Sequence, residues 1–279
     1  MIFVRDKGRM CNNILQYAHL YAWGREHHRH TMSMRFAYKY RYFHICDTPY
    51  HHFAWYLIGK YGARLGLLPV VTFPFHEGDT TKQEQQLLRH RHCVAEGWGV
   101  RFYDLFLKYK SEIIRLFAFH DDIETTVARR MGEAEGAAVQ KSASAVWRMG
   151  VHVRRGDYAT WQGGRYLYTD EQYLAIVRQA VALQQDRRVM VYVCGNDPQL
   201  DRQKYIQALG ADHVCFPDGS PGEDLCLLSH CNVLIGAPST FTLVASMYHD
   251  TPLYWIEQPE SPVTQSCFRH FDELFRKIH

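Results

Sequence analysis

The sequence predicts an α/β protein of two domains, the second of which is built on a doubly wound parallel sheet. From residue 145 onward, short apolar segments alternate with helical patterns, as in parallel sheets whose strands are joined by helices. A chain of 279 residues that is 47% hydrophobic and 22% charged is also long enough for two modest cores. Runs of small residues at 132–138 and 142–144 indicate a connector, so the predicted domains are 1–141 and 142–279.

The first half is readable mainly at its beginning. Residues 2–5 form an apolar segment typical of a core strand, and apolar positions recur at helical spacing between 12 and 25. We expect Asn12 or Asn13 to cap this helix. Gly8 lies in the preceding loop, and such a loop leading into a helix N-terminus can bind an anion. Residues 83–131 show a mainly helical pattern.

The second half yields an ordered series of elements. We expect strands at 145–153, 189–194, 213–216, 233–235 and 253–256, with intervening helices at 170–184, 198–209, 222–230 and 241–248. Thr169 and Gln172 indicate a capping box, and Asp197 before Pro198 supplies an N-cap and a proline at the first helical position. A last helix is expected around 267–278, where it can pack back on the first domain.

The most informative segment is 150–158, where an apolar strand ends in two arginines, a glycine and an aspartate. Ligands of open α/β sheets bind at the carboxyl edge, where such a strand emerges. Arg154 and Arg155 offer planar, charged forks suited to the oxygens of a diphosphate, and Gly156 permits close approach of the backbone. The alternative is a solvated surface turn in which an arginine pairs with Asp157.

Two further strand ends and one helix carry polar groups that can converge on the same edge. Ser239 and Thr240 can form a plain N-cap, or their hydroxyl and backbone N–H groups can contact a phosphate. Asp224 falls in a first helical turn, where an acid can stabilise the helix or can accept the paired N–H donors of a guanine. The remaining candidates at these ends are Asn196, Asp197 and Phe241.

The composition argues against several partners and locations. A net charge of +3 gives no reason to expect a nucleic acid, and eight cysteines without a Cys-x-x-Cys pair favour reduced thiols over disulfides or zinc. The histidines at 27–30 and 51–52 have no acidic or cysteine partner spaced to complete a metal site. Without a signal-peptide pattern or an apolar run of roughly 18 residues, we expect a soluble, cytoplasmic protein.

A basic and aromatic stretch at 25–44 leaves two interpretations open. It can touch an anionic membrane surface or a lipid-linked acceptor. Alternatively, it can be a solvated face whose aromatic side chains belong to the core.

Four ordered segments resemble the bacterial α-1,2-fucosyltransferases, glycosyltransferase family 11, which are related to other fucosyltransferases with a His-x-Arg-Arg motif. Residues 152–155 match that motif and continue as Gly-Asp-Tyr. Residues 8–18 are similar to the family's segment Gly-x-x-Asn-Gln-x-x-Gln-Tyr-Ala, residues 224–231 to Asp-Leu-x-x-Met-Ser-x-Cys, and residues 237–241 to Ala-Asn-Ser-Ser-Phe. The resemblance spans residues 1 to about 257.

The resemblance implies a GT-B fold, in which two Rossmann-like domains face a cleft and the last helix packs back on the first domain. It further implies GDP-L-fucose as donor and a glycan as acceptor, with α-1,2 transfer to galactose in surface glycan or oligosaccharide synthesis. Transfer would invert the anomeric configuration and need no metal ion or other cofactor. The chain contains no Asp-x-Asp triplet, so positive side chains must neutralise the departing diphosphate.

The resemblance also implies roles for individual residues. Arg154 would be the main diphosphate ligand, and Arg155 would share the phosphates or brace the loop against Asp157, itself a candidate acceptor base. His152 would contact guanine or ribose, and Asp224 would read the base. The residues expected to bind the GDP-sugar are Gly8, Asn12, His152, Arg154, Arg155, Asn196, Asp197, Asp224, Ser239, Thr240 and Phe241.

The chain departs from the family pattern at Pro238, where Asn is usual, and at 242–244, where Thr-Leu-Val replaces Ser-Trp-Trp. Two alternatives therefore stay open. The chain can be a GT-B glycosyltransferase that uses another GDP-sugar, or a non-catalytic protein that binds GDP or a glycan.

Overall fold

The computed structural model describes residues 1–139, 146–185, 187–195 and 197–278. Contacts between Cα atoms divide them into two compact bodies, Met1–His120 and Asp121–Ile278, called unit 1 and unit 2 below. The domain boundary predicted between 141 and 142 lies outside the described residues and stays a prediction.

Unit 1 contains a four-stranded parallel sheet. Its elements are β1 (Ile2–Arg5), β2 (Thr31–Ser33), β3 (Val70–Thr72), β4 (Cys93–Glu96), α1 (Met10–Glu26), α2 (Phe53–Arg64), α3 (Thr81–Arg89), α4 (Tyr103–Lys108) and α5 (Lys110–Leu116). The strand order is β2-β1-β4-β3. The strand predicted at 2–5 is confirmed, whereas the mainly helical pattern of 83–131 is interrupted by β4. The first three residues of β4 are fully buried beside β1, and this pairing across the chain outweighs the local helical pattern.

Helix α1 begins at Met10 rather than at residue 12, and Arg9 is its N-cap residue. The prediction that Asn12 or Asn13 caps it is wrong, because both lie inside the first turns. Asn13 Nδ2 instead donates to the carbonyl of Gly8 (3.4 Å).

Gln16 fixes the loop between β1 and α1. Its Nε2 donates to the carbonyls of Lys7 (2.6 Å) and Asn12 (3.1 Å), and its Oε1 accepts from the Lys7 N–H (3.3 Å). One buried amide side chain thus hydrogen-bonds both backbone groups of one loop residue.

Much of the basic and aromatic stretch at 25–44 is used within unit 1. Phe36 and Phe43 are fully buried, and their ring centroids lie 5.1 and 5.7 Å from that of Phe117. The Arg29 guanidinium donates to backbone carbonyls between residues 87 and 91. These contacts agree with the interpretation as core aromatics, and membrane or lipid contact stays a prediction.

Unit 2 contains a five-stranded sheet in which every neighbouring pair is parallel. Its elements are α6 (Asp121–Val139), β5 (Trp147–Val153), α7 (Asp170–Ala182), β6 (Val189–Gly195), α8 (Arg202–Leu209), β7 (Val214–Cys215), α9 (Pro221–Ser229), β8 (Val233–Gly236), α10 (Thr240–His249), β9 (Leu253–Trp255) and α11 (Phe271–Phe275). The order β7-β6-β5-β8-β9 is that of a doubly wound sheet with β5 at its centre. The predicted parallel sheet is therefore confirmed, and so is the capping box of Thr169 and Gln172.

Helix α8 differs from the prediction, since it begins at Arg202 instead of residue 198. Asp201 is its N-cap and accepts from the Lys204 N–H (3.2 Å). The predicted cap, Asp197, has other partners: its Oδ1 accepts from the Gln199 N–H (2.9 Å), and its Oδ2 is taken by an arginine described below. The chain therefore turns once more before the helix starts.

The last predicted helix is shorter than expected and lies within unit 2. Helix α11 packs against α10, and an antiparallel bridge joins Leu253 to Arg269 just before it. Its packing on the first domain stays a prediction. Over the described ranges, no helix combines the length and apolar character that a membrane crossing needs.

Candidate functional site

Three parallel strands of unit 2 end side by side. In the register, β5 pairs with β6 through Val153 and Gly195, and with β8 through His152 and Gly236. The two glycines permit this approach, since a Cβ atom at Gly195 would lie 2.6 Å from the Val153 carbonyl oxygen, and one at Gly236 would lie 3.0 Å from that of His152. Side chains that follow three separate strands are thereby brought to one edge of the sheet.

Each of the three guanidinium nitrogens of Arg155 donates a hydrogen bond at this edge. Its Nη2 donates to Asp170 Oδ1 (2.6 Å), its Nη1 to Asp197 Oδ2 (2.9 Å) and its Nε to the Tyr168 carbonyl (3.0 Å). The three charged side chains are only 14%, 9% and 11% exposed. Burial alone would lower the pKa of Arg155, but its hydrogen bonds to both carboxylates raise it. Arg155 therefore ties the loop after β5 to the start of α7 and to the loop after β6.

Arg154 is held more lightly. Its Nη2 donates to Asp157 Oδ2 (2.9 Å), and Asp157 is 47% exposed. The guanidinium lies 5.1 Å from the ring centroid of Tyr158, whose hydroxyl donates to the Pro238 carbonyl (2.5 Å). Arg154 Nε is buried and has no hydrogen-bond partner within the described part of the chain. The expectation that Arg155 pairs with Asp157 is thus wrong, because Arg154 takes that carboxylate.

His152 and Phe241 form a stacked pair beside the arginines. Their ring centroids are 4.7 Å apart and the planes are inclined by 18°. Burial and, second, the charge of Arg154 lower the pKa of His152 to about 3, so its imidazole is neutral at physiological pH. His152 Nδ1 is buried and lacks a hydrogen-bond partner among the described residues.

Ser239 is the N-cap of α10. Its Oγ accepts from the Thr242 N–H (3.3 Å) and lies 3.1 Å from Thr242 Oγ1. The N-cap interpretation is therefore confirmed for Ser239. Thr240 is the first residue of the helix, and phosphate contact by either residue stays a prediction.

Asp224 lies in the first turn of α9, but the cap of that helix is a separate box formed by Ser220 and Glu223. Asp224 Oδ1 is buried and has no hydrogen-bond partner in the described residues. Burial, followed by the charge of Glu223, raises the pKa of Asp224 to about 7. The carboxyl group therefore titrates near neutrality and retains an unused acceptor.

The remaining predicted site residues are Gly8, Asn12 and Asn196. Gly8 and Asn12 lie in the β1–α1 segment of unit 1, where Gly8 adopts a φ of +94°, in the left-handed region that favours glycine. Asn196 lies outside the described residues.

Asp170 is the residue that the sequence reasoning missed. It follows Thr169 at the start of α7 and so has the pattern of an ordinary first-turn acid. In the structure it is 8% exposed and accepts from Arg155 and from the Tyr205 hydroxyl (3.3 Å). No local signal distinguishes Asp170 from such an acid, because its partner Arg155 lies 15 residues earlier in sequence.

These residues give the edge a defined chemical capacity. At the ends of β5 and β8 it holds one lightly paired guanidinium, one neutral buried imidazole and the N-terminus of α10, while the first turn of α9, which follows β7, carries one carboxyl group with an unused oxygen. Such a set can bind an anionic group together with a planar polar ring. The two groups of potential metal ligands within the described ranges involve other residues.

Comparison with known proteins relates the chain to enzymes of one kind. The model of a family described as glycosyl transferase family 11 matches residues 70–252. Galactoside 2-alpha-L-fucosyltransferase Sec1 of Mus musculus is 26% identical over 287 residues, which cover 94% of this chain and 69% of that protein.

Two solved structures share the fold at low sequence identity. FUT1 of Arabidopsis thaliana, in complex with GDP, has a TM-score of 0.57 at 11% identity, covering 96% of this chain and 73% of its own. POFUT1 in complex with GDP has a TM-score of 0.54 at 10% identity, covering 89% and 94% respectively. Both likenesses support a mixed α/β fold with parallel sheets.

Proposed function

The chain belongs to glycosyl transferase family 11 and is a glycosyltransferase, and from this premise we propose that it transfers L-fucose from GDP-L-fucose to a glycan hydroxyl. The proposed acceptor position is O2 of galactose, as the name of the mouse relative suggests. Transfer inverts the anomeric configuration and requires no metal ion. The proposed setting is a GT-B arrangement with the donor on unit 2.

The observation that carries this proposal is the different engagement of the two neighbouring arginines. The Arg155 guanidinium donates hydrogen bonds to two nearly buried carboxylates and a backbone carbonyl. Arg154 is paired with a half-exposed aspartate and keeps a buried Nε without a partner among the described residues. Arg154 therefore has the capacity to bind a diphosphate, whereas Arg155 holds the loop from which Arg154 projects.

Arg154 would act on the leaving group. Breaking the bond between fucose C1 and the β-phosphate oxygen leaves oxocarbenium character on the sugar and builds negative charge on GDP. A preorganised charged donor aimed at such a developing anion stabilises the transition state by about 3–4 kcal/mol, or roughly two to three orders of magnitude in rate. Because the arginine supplies this charge, the reaction has an alternative to a metal-bound diphosphate.

Asp224, His152 and Phe241 would hold the nucleoside. An ionised Asp224 would accept the paired N–H donors of guanine through its unused oxygen. The His152–Phe241 stack would form an uncharged wall against ribose or base, since the imidazole stays neutral. Ser239 and Thr240 at the start of α10 would contact a phosphate oxygen. Asn196 and Asp197, which follow β6 in the sequence, would be further ligands of the GDP-sugar.

Gly8 and Asn12 would add an anion contact from unit 1, at the start of α1. Gly8 has a positive φ and precedes Arg9, the N-cap residue of α1, and a helix N-terminus favours an anion. This contact depends on the proposed GT-B arrangement.

Asp157 has two roles consistent with its contacts. As a half-exposed carboxylate beside the donor edge, it can accept the proton of the attacking hydroxyl. It can equally position Arg154 through the 2.9 Å ion pair. Asp157→Asn separates these roles: loss of a base lowers kcat and leaves GDP affinity unchanged, whereas loss of positioning lowers both.

The test is calorimetric titration of wild type and Arg154→Ala with GDP and GDP-fucose, with and without EDTA, combined with transfer to galactosides and linkage analysis of the product. We expect chelator-insensitive binding and transfer in the wild type. In Arg154→Ala, turnover should fall by about 10²–10³-fold. Arg178→Ala, on the exposed side of α7, is the matched control and should behave as wild type.

Each contrary outcome has a definite meaning. Absence of guanine-nucleotide binding would refute the donor assignment. Binding of GDP without turnover of GDP-fucose would indicate a non-catalytic binding protein, and turnover of another GDP-sugar would indicate a different transferase. Cytoplasmic location and contact with a membrane or lipid-linked acceptor remain predictions.

A further inference from the structure

A second cluster of reactive side chains lies where three helices of unit 2 meet. Glu124 comes from α6, Cys226 from α9, and His230 immediately follows α9. One ligand atom from each, a carboxylate oxygen, the thiol sulfur and an imidazole nitrogen, lies within 4.8 Å of the other two. His249, at the end of α10, is adjacent, with its ring centroid 5.5 Å from that of His230.

The cluster lies away from the candidate donor site. Helices α9 and α10 start after strands that run toward the carboxyl edge, so their final turns point back toward the opposite edge. Cys226 is two positions after Asp224, which places the two side chains on different faces of α9. Nothing proposed for the fucosyl transfer uses these residues.

The local geometry brings the three ligand types together. Cys226 and His230 are four residues apart, so the thiol and the imidazole share one side of the α9 end. The Glu124 carboxylate faces both: its Oε2 lies 2.8 Å from His230 Nε2, and its charge adds to burial in raising the pKa of the Cys226 thiol. Cys226 is fully buried, while the Glu124 and His230 side chains are 42% and 34% exposed, which leaves an entry path from solvent.

We propose that Glu124, Cys226 and His230 form a binding site for a divalent transition metal, with Zn²⁺ as the preferred ion. Thiolate and imidazole ligands favour zinc, whereas Mg²⁺ and Ca²⁺ select oxygen ligands. Zinc bonds of about 2.0–2.3 Å require only that the present side chains close in around a common centre. His249 or a water molecule supplies the fourth position of the tetrahedron.

Metal binding displaces the thiol proton of Cys226 and involves no redox change. The Cys226 S–H bond breaks and its proton passes to solvent, while the sulfur lone pair binds the metal. His230 binds through Nε2 as the neutral tautomer protonated on Nδ1, and Glu124 binds through one carboxylate oxygen. The ion would join α6 to α9 and act as a structural link rather than a catalytic centre.

The test uses the full chain after chelator treatment and Co²⁺ as a spectroscopic probe for the zinc site. We expect one equivalent of Co²⁺ to give the visible bands of tetrahedral cobalt and a near-ultraviolet thiolate charge-transfer band, both displaced by Zn²⁺. Zn²⁺ should also raise the melting temperature. Cys226→Ala should abolish the charge-transfer band, and His230→Gln should weaken metal binding by at least about 10–100-fold.

Cys231→Ala is the matched control, since Cys231 is a buried thiol close by whose Sγ contacts the Leu227 carbonyl instead of the cluster. It should bind cobalt as the wild type does. The part-exposed position of His230 keeps that variant informative if Cys226→Ala folds poorly. A wild type without the charge-transfer band, or a band unchanged in both cluster variants, would overturn the proposal. Because no donor sugar is present, this readout is independent of the proposed fucosyl transfer.

Discussion

Replacing Arg155 with alanine should destabilise unit 2, although Arg155 belongs to the motif that resembles a donor-binding sequence. The change removes the cationic partner of Asp170 and Asp197, whose side chains are only 9% and 11% exposed. Removing one partner of a buried ion pair costs about 3–5 kcal/mol, because the remaining charge stays desolvated.

The structure places the expected cost near the lower end of that range. Asp170 retains the Tyr205 hydroxyl (3.3 Å) and the Asp201 N–H (3.4 Å), and Asp197 retains the Gln199 N–H. We therefore expect a loss of roughly 3 kcal/mol. For a body of this size that corresponds to a fall of about 6–12 °C in melting temperature.

The neighbouring substitution Arg154→Ala provides the internal comparison. Removing Arg154 leaves only the 47% exposed Asp157 without this partner, and because that carboxylate stays solvated we expect a loss of about 0–1 kcal/mol. Urea denaturation of both variants, with hydrogen exchange of the β5 and β6 amides to assign the transition to unit 2, measures the difference. Asp170→Asn added to Arg155→Ala should recover about 1–2 kcal/mol by removing one stranded charge.

The opposite ranking would refute the reasoning. If Arg155→Ala unfolds within about 1 kcal/mol of wild type while Arg154→Ala is the less stable variant, the bracing role belongs to Arg154. The assignment of Arg154 to the diphosphate would then fail as well.

Three further predictions follow from individual contacts. GDP affinity should rise with pH as Asp224 ionises near its pKa of about 7, because only the carboxylate accepts both guanine N–H groups. Calorimetry across about pH 5.5–8.5 should show this rise in the wild type. Asp224→Asn should bind GDP weakly, with an affinity that does not change over this pH range. Gln16→Ala should lower the free energy of unfolding of unit 1 by about 1–3 kcal/mol in urea titrations, since both Lys7 backbone groups lose a partner. An unchanged midpoint would contradict the role of Gln16 in fixing the loop between β1 and α1. Gly195→Ala should cost about 1–3 kcal/mol in the same assay, because its Cβ would meet the Val153 carbonyl oxygen at 2.6 Å, whereas a neutral effect would show that β5 and β6 can separate freely.

The fold of unit 2 was predictable because its signals are local. The apolar strands and the capping box at Thr169 agree with the final structure, so pattern and packing point the same way. The start of α8 was not predictable by the same rule. The Asp197 side chain has the right type for a cap, but Arg155, 42 residues away in sequence, competes for it.

Unit 1 was less readable for a related reason. Strands β2, β3 and β4 have three or four residues each, too few for a period to be distinguished from chance. Strands β2 and β4 pair with β1, and β3 pairs with β4. This pairing supplies the stabilisation that local propensity does not.

The candidate site was predictable in its residue types but not in their engagement. The sequence placed two arginines at one strand end, and nothing local distinguishes them. Their different partners arise from backbone geometry after β5, which turns Arg155 toward Asp170 and Asp197 and leaves Arg154 beside Asp157.

The same five side chains bear on how quickly a nucleotide arrives. Arg154 and Arg155 contribute two positive charges, while Asp157, Asp170 and Asp197 contribute three negative ones when ionised. At distances beyond the Debye length, about 8 Å at physiological ionic strength, these charges nearly cancel and give little long-range attraction for a polyanion. These five side chains should therefore contribute little to the association rate constant for GDP, and their discrimination for the diphosphate should arise in the dissociation rate, after the nucleotide has reached hydrogen-bonding distance.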